Sequence, residues 1–378
     1  MSQMARAMIS EILGIVAESL DIPENKRNDA VMKYEALGRH LNAVHSTLAR
    51  YAPEIYPQGS FMLGTVTRPV GRELDYDVDL VCELEIAKDA ISQRDLKRIV
   101  GSRIREWNDY DSKISDGRRC WTLEFPDHFH MDVLPAIPDS DHEGNAILIT
   151  DKELFRWQHS NPKEYAKWFY DVMRPALTEA RLAVAAQYNK SVEEIPDWRV
   201  RTPLQRSIQI LKRHRDWHFR ENPDKRPASI IITTLAARSY VHQPCLHETL
   251  LAVVDGMFEK VVRDHGDWIV VNPVDERENF AERWNEDADR ATLFFSWLKR
   301  AQEDLRALLE GNGLGNLGGK LELGFGKRVA ERAMKQYGDI QFERRSSSQL
   351  RMAAGTGVLS TGSAAGSVSV KPHTFFGS

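Results

Sequence analysis

The segment Tyr76-Asp77-Val78-Asp79-Leu80 places two carboxylates between apolar residues. Alternation of this kind predicts a half-buried strand, on which residues i and i+2 project from the same face. Asp77 and Asp79 therefore lie side by side, and their negative charges repel each other. A divalent cation relieves this repulsion, and oxygen ligands of this kind suit Mg²⁺ or Mn²⁺ better than zinc. The segment thus predicts a strand that carries a metal site.

Two other segments strengthen this interpretation. Gln58, Gly59 and Ser60 precede the strand, and a Gly-Ser turn offers backbone N–H groups and a hydroxyl to an anion such as phosphate. Asp132, in the largely apolar segment 129–135, supplies a third carboxylate. A lone D-x-D pair is more often a solvated strand end. The prediction of catalysis therefore depends on the combination of the Gly-Ser turn, the pair and Asp132.

Together these residues resemble the nucleotidyltransferase superfamily of DNA polymerase β, poly(A) polymerase and oligoadenylate synthase. Further segments narrow the resemblance to the bacterial cGAS/DncV-like nucleotidyltransferases, which make cyclic oligonucleotide signals in the anti-phage systems called CBASS. The segments are Pro57-Gln58-Gly59-Ser60, His130-Met131-Asp132-Val133-Leu134-Pro135-Ala136, Pro203-Leu204-Gln205-Arg206 with Ile210-Leu211-Lys212-Arg213-His214-Arg215-Asp216, and Asn272-Pro273-Val274 with Asn279-Phe280-Ala281 and Trp284. The resemblance spans roughly residues 30–330. It implies an α+β fold, in which a polymerase β-like lobe with a mixed sheet is joined to a helical lobe of the oligoadenylate synthase type.

The resemblance also implies roles for individual residues. Asp77, Asp79 and Asp132 would be catalytic and would hold two Mg²⁺ ions, for which Mn²⁺ can substitute. The expected substrate-binding residues are Gln58, Gly59, Ser60, Lys212 and Ser229. ATP and GTP are the expected substrates. As the product, a cyclic trinucleotide such as cyclic AMP-AMP-GMP is favoured over a cyclic dinucleotide, and it would act on a downstream effector.

Two other classes of function stay open. A nucleotidyltransferase that modifies an RNA or a protein acceptor could use the same aspartates. A non-catalytic protein could merely hold a nucleotide, although three clustered carboxylates argue against a degenerate site. Lys212 also has a simpler interpretation, because a lysine at the edge of an amphipathic helix is often only solvated.

Charge and cysteine usage bear on partners and location. The chain has 51 Lys plus Arg against 55 Asp plus Glu, a net charge of −4, so it offers no overall positive field to duplex DNA. Its three cysteines form no zinc-binding insertion of the kind found in animal cGAS, and no DNA activator is expected. Scattered cysteines fit a reducing cytoplasm. No apolar run predicts a signal peptide or a membrane span, so a cytoplasmic protein without membrane contact is expected.

The chain divides into three predicted parts. Residues 1–160 form the catalytic lobe with an N-terminal helix, and residues 161–344 form a mainly helical lobe that completes the nucleotide cleft. Residues 345–378 are rich in glycine and serine and predict a flexible tail. The resemblance implies that ubiquitin-like conjugation enzymes or other CBASS accessory proteins act on this tail. Phe376-Gly377 suits conjugation, whereas the terminal Ser378 requires trimming, or is an added residue, or argues against conjugation.

Periodicity gives the local predictions. One apolar stripe predicts a long helix, and it comprises Tyr34, Leu37, Leu41, Val44, Leu48 and Tyr51. Residues 74–84 and 119–137 predict strands, with a helix over 94–107 between them. Thr202 and Gln205 predict a capping box around Pro203. A second stripe predicts a buried helix face, and it comprises Phe294, Leu298, Ala301, Leu305 and Leu308.

Overall fold

The computed structural model describes residues 3–68, 76–107, 114–125, 129–153, 155–188, 191–192, 200–243, 245–309, 314–353, 359–360 and 367–370. Its first half is built on a mixed sheet. The strands are β1 (Glu54–Pro57), β2 (Tyr76–Glu83), β3 (Ile114–Asp116), β4 (Trp121–Phe125), β5 (Phe129–Pro138), β6 (Ile147–Ile149) and β7 (Gln158–Ser160). Their order is β1-β2-β5-β4-β3, and β6 pairs with both β5 and β7. The predicted α+β class is confirmed.

The strand pairing brings the carboxylates together. β2 and β5 run parallel, whereas β1 is antiparallel to β2 and β4 is antiparallel to β5. The prediction of a strand over 119–137 is corrected, because this stretch contains two antiparallel strands, β4 and β5, with residues 126–128 between them outside the described ranges.

The two faces of β2 have different surroundings. Val78 and Leu80 are fully buried against two helices, α2 (Glu24–Leu41) and α4 (Gln93–Arg105). Asp77 and Asp79 point to the opposite face, where Asp77 is exposed and Asp79 is partly exposed. This alternation is what the sequence predicts for a half-buried strand. One face therefore serves the core and the other is available for chemistry.

The long helix predicted through Tyr51 is shorter in the structure. α2 ends at Leu41, and the Asn42 side chain donates to the carbonyl of Pro53, which draws the chain back across the helix end. Val44 is consequently fully exposed at 101% of its reference surface, although the stripe predicted burial. Leu48 is still buried, but it reaches the core from a turn. The stripe thus predicted burial correctly for Leu41 and Leu48, on either side of the helix end, but not for Val44.

The second half is mainly helical. Its helices are α5 (Pro162–Tyr188), α6 (Pro203–His218), α7 (Ser229–Ser239), α8 (Leu246–Gly256), α9 (Glu282–Glu286), α10 (Ala288–Leu309), α11 (Leu314–Phe325) and α12 (Lys327–Ser346). Two small hairpins lie between α8 and α9, formed by β8 (Val262–Asp264) with β9 (Asp267–Ile269) and by β10 (Val271–Asn272) with β11 (Asp275–Asn279).

Two local predictions in this half are confirmed. The Thr202 hydroxyl accepts from the Gln205 N–H at 3.2 Å, and the Gln205 side chain accepts from the Thr202 N–H at 2.9 Å, which completes the capping box. The predicted face of α10, from Phe294 to Leu308, is buried. No helix within the described ranges has the length and apolar character needed to cross a membrane.

The structure of the two ends of the chain differs from the prediction of three parts. Helix α1 (Gln3–Ser19) buries Ile9, Ile12 and Val16 in the same core as α6, α8 and α12. The N-terminal helix therefore packs with the helical half. At the other end, β12 (Arg351–Ala353) pairs with β13 (Leu359–Ser360) and with β14 (Ser367–Ser369). Parts of the predicted flexible tail therefore lie in paired strands, and Leu350 is buried beside them. Residues 371–378, including the predicted conjugation site, lie outside the described ranges.

Candidate active site

The three aspartates occupy adjacent positions on two neighbouring strands. Asp79 of β2 lies directly opposite Asp132 of β5, and Asp77 is two residues before Asp79 on the same face. Thr122 of β4 lies beside Asp132 on its other side and donates its hydroxyl to a carboxylate oxygen at 2.5 Å. The parallel register thus brings Asp132 beside Asp77 and Asp79, which precede it by more than 50 residues in the sequence.

The carboxylates influence each other electrostatically. The pKa of Asp79 is raised to about 7. The largest cause is the removal of its carboxylate from water, and the negative charges of Asp132 and Asp77 add to it. The buried ammonium of Lys212 acts in the opposite direction. All the clustered donors are oxygen atoms, and hard divalent ions such as Mg²⁺ and Mn²⁺ prefer this donor type. The residues present therefore fit a divalent metal site.

Gly59 makes a close approach to this cluster. β1 pairs with β2 through Pro57, and the N–H of Gln58 then donates to the carbonyl of Asp79 at 2.8 Å. Gly59, which begins α3 (Gly59–Leu63), has a φ of +57°, and a Cβ at this position would lie 2.6 Å from a carboxylate oxygen of Asp79. Only glycine satisfies both the backbone conformation and the space. Ser60 follows in the first turn of α3.

A cleft of about 400 Å³ opens in front of the carboxylates. Its first wall comes from the sheet and from α3, and includes Gly59, Asp79 and Asp132. Its second wall comes from the helical half and includes Tyr165, Ile230, Asn272, Glu278 and Phe280. The predicted cleft between a sheet and a helical region is therefore present, with the carboxylates on the sheet side.

Lys212 lies behind the cleft. This residue is 3% exposed on α6, and its ammonium donates to the carbonyl of Thr65 at 3.1 Å and to the Thr65 hydroxyl at 3.3 Å. Burial lowers its pKa to about 7, and the nearby Arg215 adds to this effect. Thr65 follows α3 and donates its N–H to the Ser60 carbonyl at 3.0 Å. Lys212 therefore supports the turn that carries Gly59 and Ser60.

Ser229 lies in an adjoining cavity of about 300 Å³, which shares Phe280 with the cleft. Ser229 begins α7, and its hydroxyl accepts from the guanidinium of Arg215 at 2.9 Å. Further basic residues line this cavity, namely Lys225, Arg226, Arg283 and Arg290. A cavity of this charge suits a polyphosphate. Of the predicted substrate-binding residues, Gln58 and Gly59 line the cleft and Ser229 lines its extension. Ser60 lies next to Gly59 but is not among the residues that line the cleft, and Lys212 contacts the turn behind it.

Two charged residues among those that line the cleft were not predicted from the sequence. Glu278 accepts from the Asn272 side chain at 2.7 Å, and burial raises its pKa to about 7. Arg119 lines the cleft and pairs at 2.9 Å with Asp151, which is fully buried. Glu278 lies between Asn272 and Asn279, two residues that the resemblance had marked, but nothing in the local pattern distinguishes it from the exposed Glu276.

Comparison with known proteins extends these observations. A family model, described as the Second Messenger Oligonucleotide or Dinucleotide Synthetase domain, matches residues 9–172. A c-di-GMP synthase of Roseivirga ehrenbergii is 27% identical to this chain, over 99% of this chain and 98% of its own length. The cyclic dinucleotide synthase CdnG of Bradyrhizobium diazoefficiens is also 27% identical, over 87% of this chain and 83% of its own length.

Solved structures show the same fold. The Bradyrhizobium diazoefficiens CdnG structure in complex with GTP superimposes with a TM-score of 0.72, at 23% identity, and covers 87% of this chain and 98% of that one. The Vibrio cholerae DncV cyclic AMP-GMP synthase, in complex with nonhydrolyzable GTP, gives a TM-score of 0.54 at 18% identity, over 87% and 88% of the two chains. These comparisons confirm the resemblance drawn from the sequence, that of a cyclic oligonucleotide synthase similar to the cGAS/DncV-like nucleotidyltransferases.

Proposed function

We propose that this enzyme converts GTP into a cyclic dinucleotide of the c-di-GMP type. The observation that carries the proposal is the register of β2 and β5, which places Asp79 opposite Asp132 at the wall of a nucleotide-sized cleft. The two relatives are named as a c-di-GMP synthase and a cyclic dinucleotide synthase. These names favour a dinucleotide over the trinucleotide that the sequence alone had favoured.

Glu278 supports the choice of guanine. The Watson–Crick edge of guanine presents two adjacent N–H donors, whereas that of adenine presents one donor and one acceptor. A carboxylate in the second wall of the cleft can accept both guanine donors, and Asn272 orients it through the 2.7 Å hydrogen bond. A site that is built to accept two hydrogen bonds discriminates against a base that cannot donate both of them.

The three aspartates and the residues beside them have separate roles in this proposal. Asp77, Asp79 and Asp132 would hold divalent ions, Mg²⁺ with Mn²⁺ as a substitute, and ions held there supply positive charge at the α-phosphate and acidify the acceptor 3′-hydroxyl. Thr122 fixes the Asp132 carboxylate through its 2.5 Å hydrogen bond. Gly59 allows the Gly-Ser turn to lie directly against the Asp79 carboxylate.

The phosphates of the donor need their own counter-charges. The basic cavity around Ser229 adjoins the cleft and suits the β- and γ-phosphates, which leave together as pyrophosphate when the acceptor 3′-oxygen bonds to the α-phosphorus. Lys212 maintains the position of Ser60 through Thr65. A linear intermediate that turns round in the same cleft can then be closed into a ring by the same carboxylates. In this proposal the product is a messenger of anti-phage defence and acts through a separate effector.

Product analysis tests the proposal. The purified protein is incubated with the four ribonucleoside triphosphates and Mg²⁺ or Mn²⁺, then treated with phosphatase, and the surviving products are identified by mass spectrometry. We expect c-di-GMP from the wild type and no product from the Asp77→Ala, Asp79→Ala variant. A resistant cyclic trinucleotide would correct the product. Labelling of a macromolecule without a small cyclic product would instead identify an RNA- or protein-modifying nucleotidyltransferase.

A further inference from the structure

A second cavity, of about 240 Å³, lies on the opposite face of the catalytic sheet. Trp121 lines it, and its neighbour on β4, Thr122, bonds to Asp132 on the catalytic face. Consecutive strand residues point to opposite faces, so Trp121 points toward α4, where its indole N–H donates to the Lys97 carbonyl at 2.9 Å. Gly101 of α4 provides the space for the ring, because a Cβ there would overlap the Trp121 side chain. This cavity is separate from the cleft.

The lining of the cavity is strongly basic. Among the residues that the structure describes, five cationic side chains border it, Arg94, Lys97, Arg98, Arg105 and Lys152, and the single acidic residue of that lining is Asp116. Lys97 and Lys152 both pair with Asp116, at 2.7 and 3.5 Å, and Arg98 pairs with Asp95 at 3.0 Å. Three of these cations thus have carboxylate partners, within a lining that is predominantly basic. A predominantly basic lining attracts anions.

An exposed aromatic ring stands at the edge of the same cavity. Phe155 is 68% exposed, and its φ of +52° is a conformation that bulky residues rarely adopt. The guanidinium of Arg94 lies 5.9 Å from the centre of the Phe155 ring, and that of Arg105 lies 4.6 Å from the centre of a Trp121 ring. A strained backbone that holds an apolar ring in solvent beside arginines indicates a ligand-binding surface.

We propose that this cavity binds a nucleoside phosphate, a ligand that combines a planar ring with two or more negative charges. The ring would stack on Phe155, as bases stack on exposed aromatic side chains in other nucleotide-binding proteins. Arg94, Arg98 and Arg105 would contact the phosphates, since the guanidinium group binds phosphate oxygens in pairs. The site needs no metal ion, because the counter-charges are side chains.

The cavity is connected to the catalytic cleft through the short segment 116–119. Lys97 donates to the Arg118 carbonyl at 3.2 Å, Lys152 donates to the Asp116 carbonyl at 2.7 Å, and the Thr150 hydroxyl donates to the Arg119 carbonyl at 3.1 Å. The Arg119 side chain lines the cleft on the other face. A phosphate that draws Lys97 and Lys152 away from Asp116 would shift this segment and thereby Arg119. Occupancy of the cavity would then change the rate of synthesis.

Nucleotide binding in EDTA separates this site from the cleft, whose affinity for a triphosphate depends on divalent ions. GTP binding is measured by isothermal titration calorimetry on the full chain. We expect one metal-independent site in the wild type, weakened at least about tenfold by Arg94→Glu with Arg98→Glu, because both phosphate contacts are lost. The matched control, Arg39→Glu with Lys327→Glu, makes the same change in net charge at two exposed positions elsewhere and should bind GTP like the wild type. The proposal is overturned if GTP does not bind in EDTA, or if the Arg94/Arg98 variant binds it normally.

A second variant tests the stacking surface. Phe155→Ala should weaken GTP binding in EDTA about fivefold to tenfold, since base stacking contributes on this scale, and should leave the affinity for inorganic tripolyphosphate unchanged. Phe155→Trp should restore GTP binding. Equal weakening of both ligands, or of neither, would exclude Phe155 as the surface that receives the ring. Because the assay contains no metal ion and measures no product, failure of the proposed synthase activity would not affect its outcome.

Discussion

The two walls of the catalytic cleft are built by different means. On the sheet wall, Asp79 and Asp132 are positioned by backbone register, and Gly59 is positioned by the hydrogen bond of Gln58 to the Asp79 carbonyl. On the helical wall, Glu278 reaches the cleft from a hairpin and is oriented by a side chain, Asn272. Backbone positioning is stiff, whereas positioning by side chains tolerates substitution. In our proposal the sheet wall performs the chemistry and the helical wall selects the substrate.

Substitutions of the sheet-wall carboxylates should have the largest effect. Asp79→Asn and Asp132→Asn each remove a charge that would hold divalent ions, so we expect the rate of cyclic product formation to fall by about 10³-fold or more, with the fold intact. Product is quantified by chromatography, and the fold is checked by circular dichroism. Asp264→Asn, at an exposed hairpin position, is the control and should retain full activity. Retention of more than a tenth of the activity by either variant would contradict the assignment of the sheet wall.

The next largest effect is expected at Gly59. In Gly59→Ala, the new methyl group would lie 2.6 Å from the Asp79 carboxylate oxygen, at a backbone φ of +57°. Either the turn or the carboxylate must move, and we expect a loss of activity of about 10²-fold, the scale of a displacement near 1 Å in an active site.

Gly144→Ala is the matched control for this substitution. Gly144 also has a positive φ, +91°, but no atom lies within 4 Å of the position of its Cβ. It therefore carries the backbone strain without the contact. If the two variants lose activity to the same extent, the close approach of Gly59 to Asp79 is not the cause.

Lys212→Met tests the support beneath the sheet wall. Loss of the hydrogen bonds to Thr65 should lower activity about tenfold, because the Ser60 turn loses its anchor. At low pH, by contrast, the substitution should benefit the stability of the folded protein, because it removes a buried charge. Burial lowers the folded-state pKa of Lys212 to about 7, so its buried charge destabilises the protein below that pH, and the penalty is relieved as the pH rises toward the ordinary lysine value of 10.5.

Thermal melting at pH 6 and pH 9 measures this second effect. The melting temperature of Lys212→Met relative to wild type should be higher at pH 6 than at pH 9. Lys335→Met, at an exposed position of α12, should show no pH-dependent difference. A variant with normal activity and the expected stability pattern would leave Lys212 without a part in positioning Ser60.

The smallest effect is expected on the helical wall. Glu278→Gln keeps the shape of the side chain but replaces one acceptor with a donor, so the preference for GTP over ATP should fall about tenfold, while total turnover with GTP falls less. The readout is kcat/KM for each nucleotide. Glu276→Gln, two residues earlier and exposed, is the matched control. An unchanged preference would remove Glu278 from base selection.

The same variant has a signature in stability. Burial raises the folded-state pKa of Glu278 to about 7 from its ordinary value of 4.5, so ionisation of this carboxyl costs the folded protein stability as the pH rises between those values. Glutamine does not ionise. The melting temperature of Glu278→Gln relative to wild type should therefore be higher at pH 8 than at pH 5.

Local sequence patterns anticipated much of this molecule. Alternation of Asp77 and Asp79 with apolar residues predicted both the strand and its polar face. Thr202, Pro203 and Gln205 predicted the start of α6, because a capping box is completed by residues within one helical turn. In these cases, the residues that decide the structure are close together in the chain. Gly59 and Asp132 were also predicted, from a Gly-Ser turn and from an aspartate in an apolar segment, and the resemblance to a family then implied their roles.

Contacts between segments that are far apart in the sequence decided the features that local patterns did not predict. The register that sets Asp79 opposite Asp132, the break of α2 after Leu41, the packing of α1 with the helical half and the burial of Lys212 behind Thr65 each depend on residues far apart in the sequence. The same is true of Glu278, which differs from the nearby Glu276 only in what packs around it. The sequence by itself determined which residues could do the chemistry, since that follows from residue type and local spacing. Only the tertiary structure decided which of them share a cleft, because burial and electrostatic coupling arise when separate segments pack together.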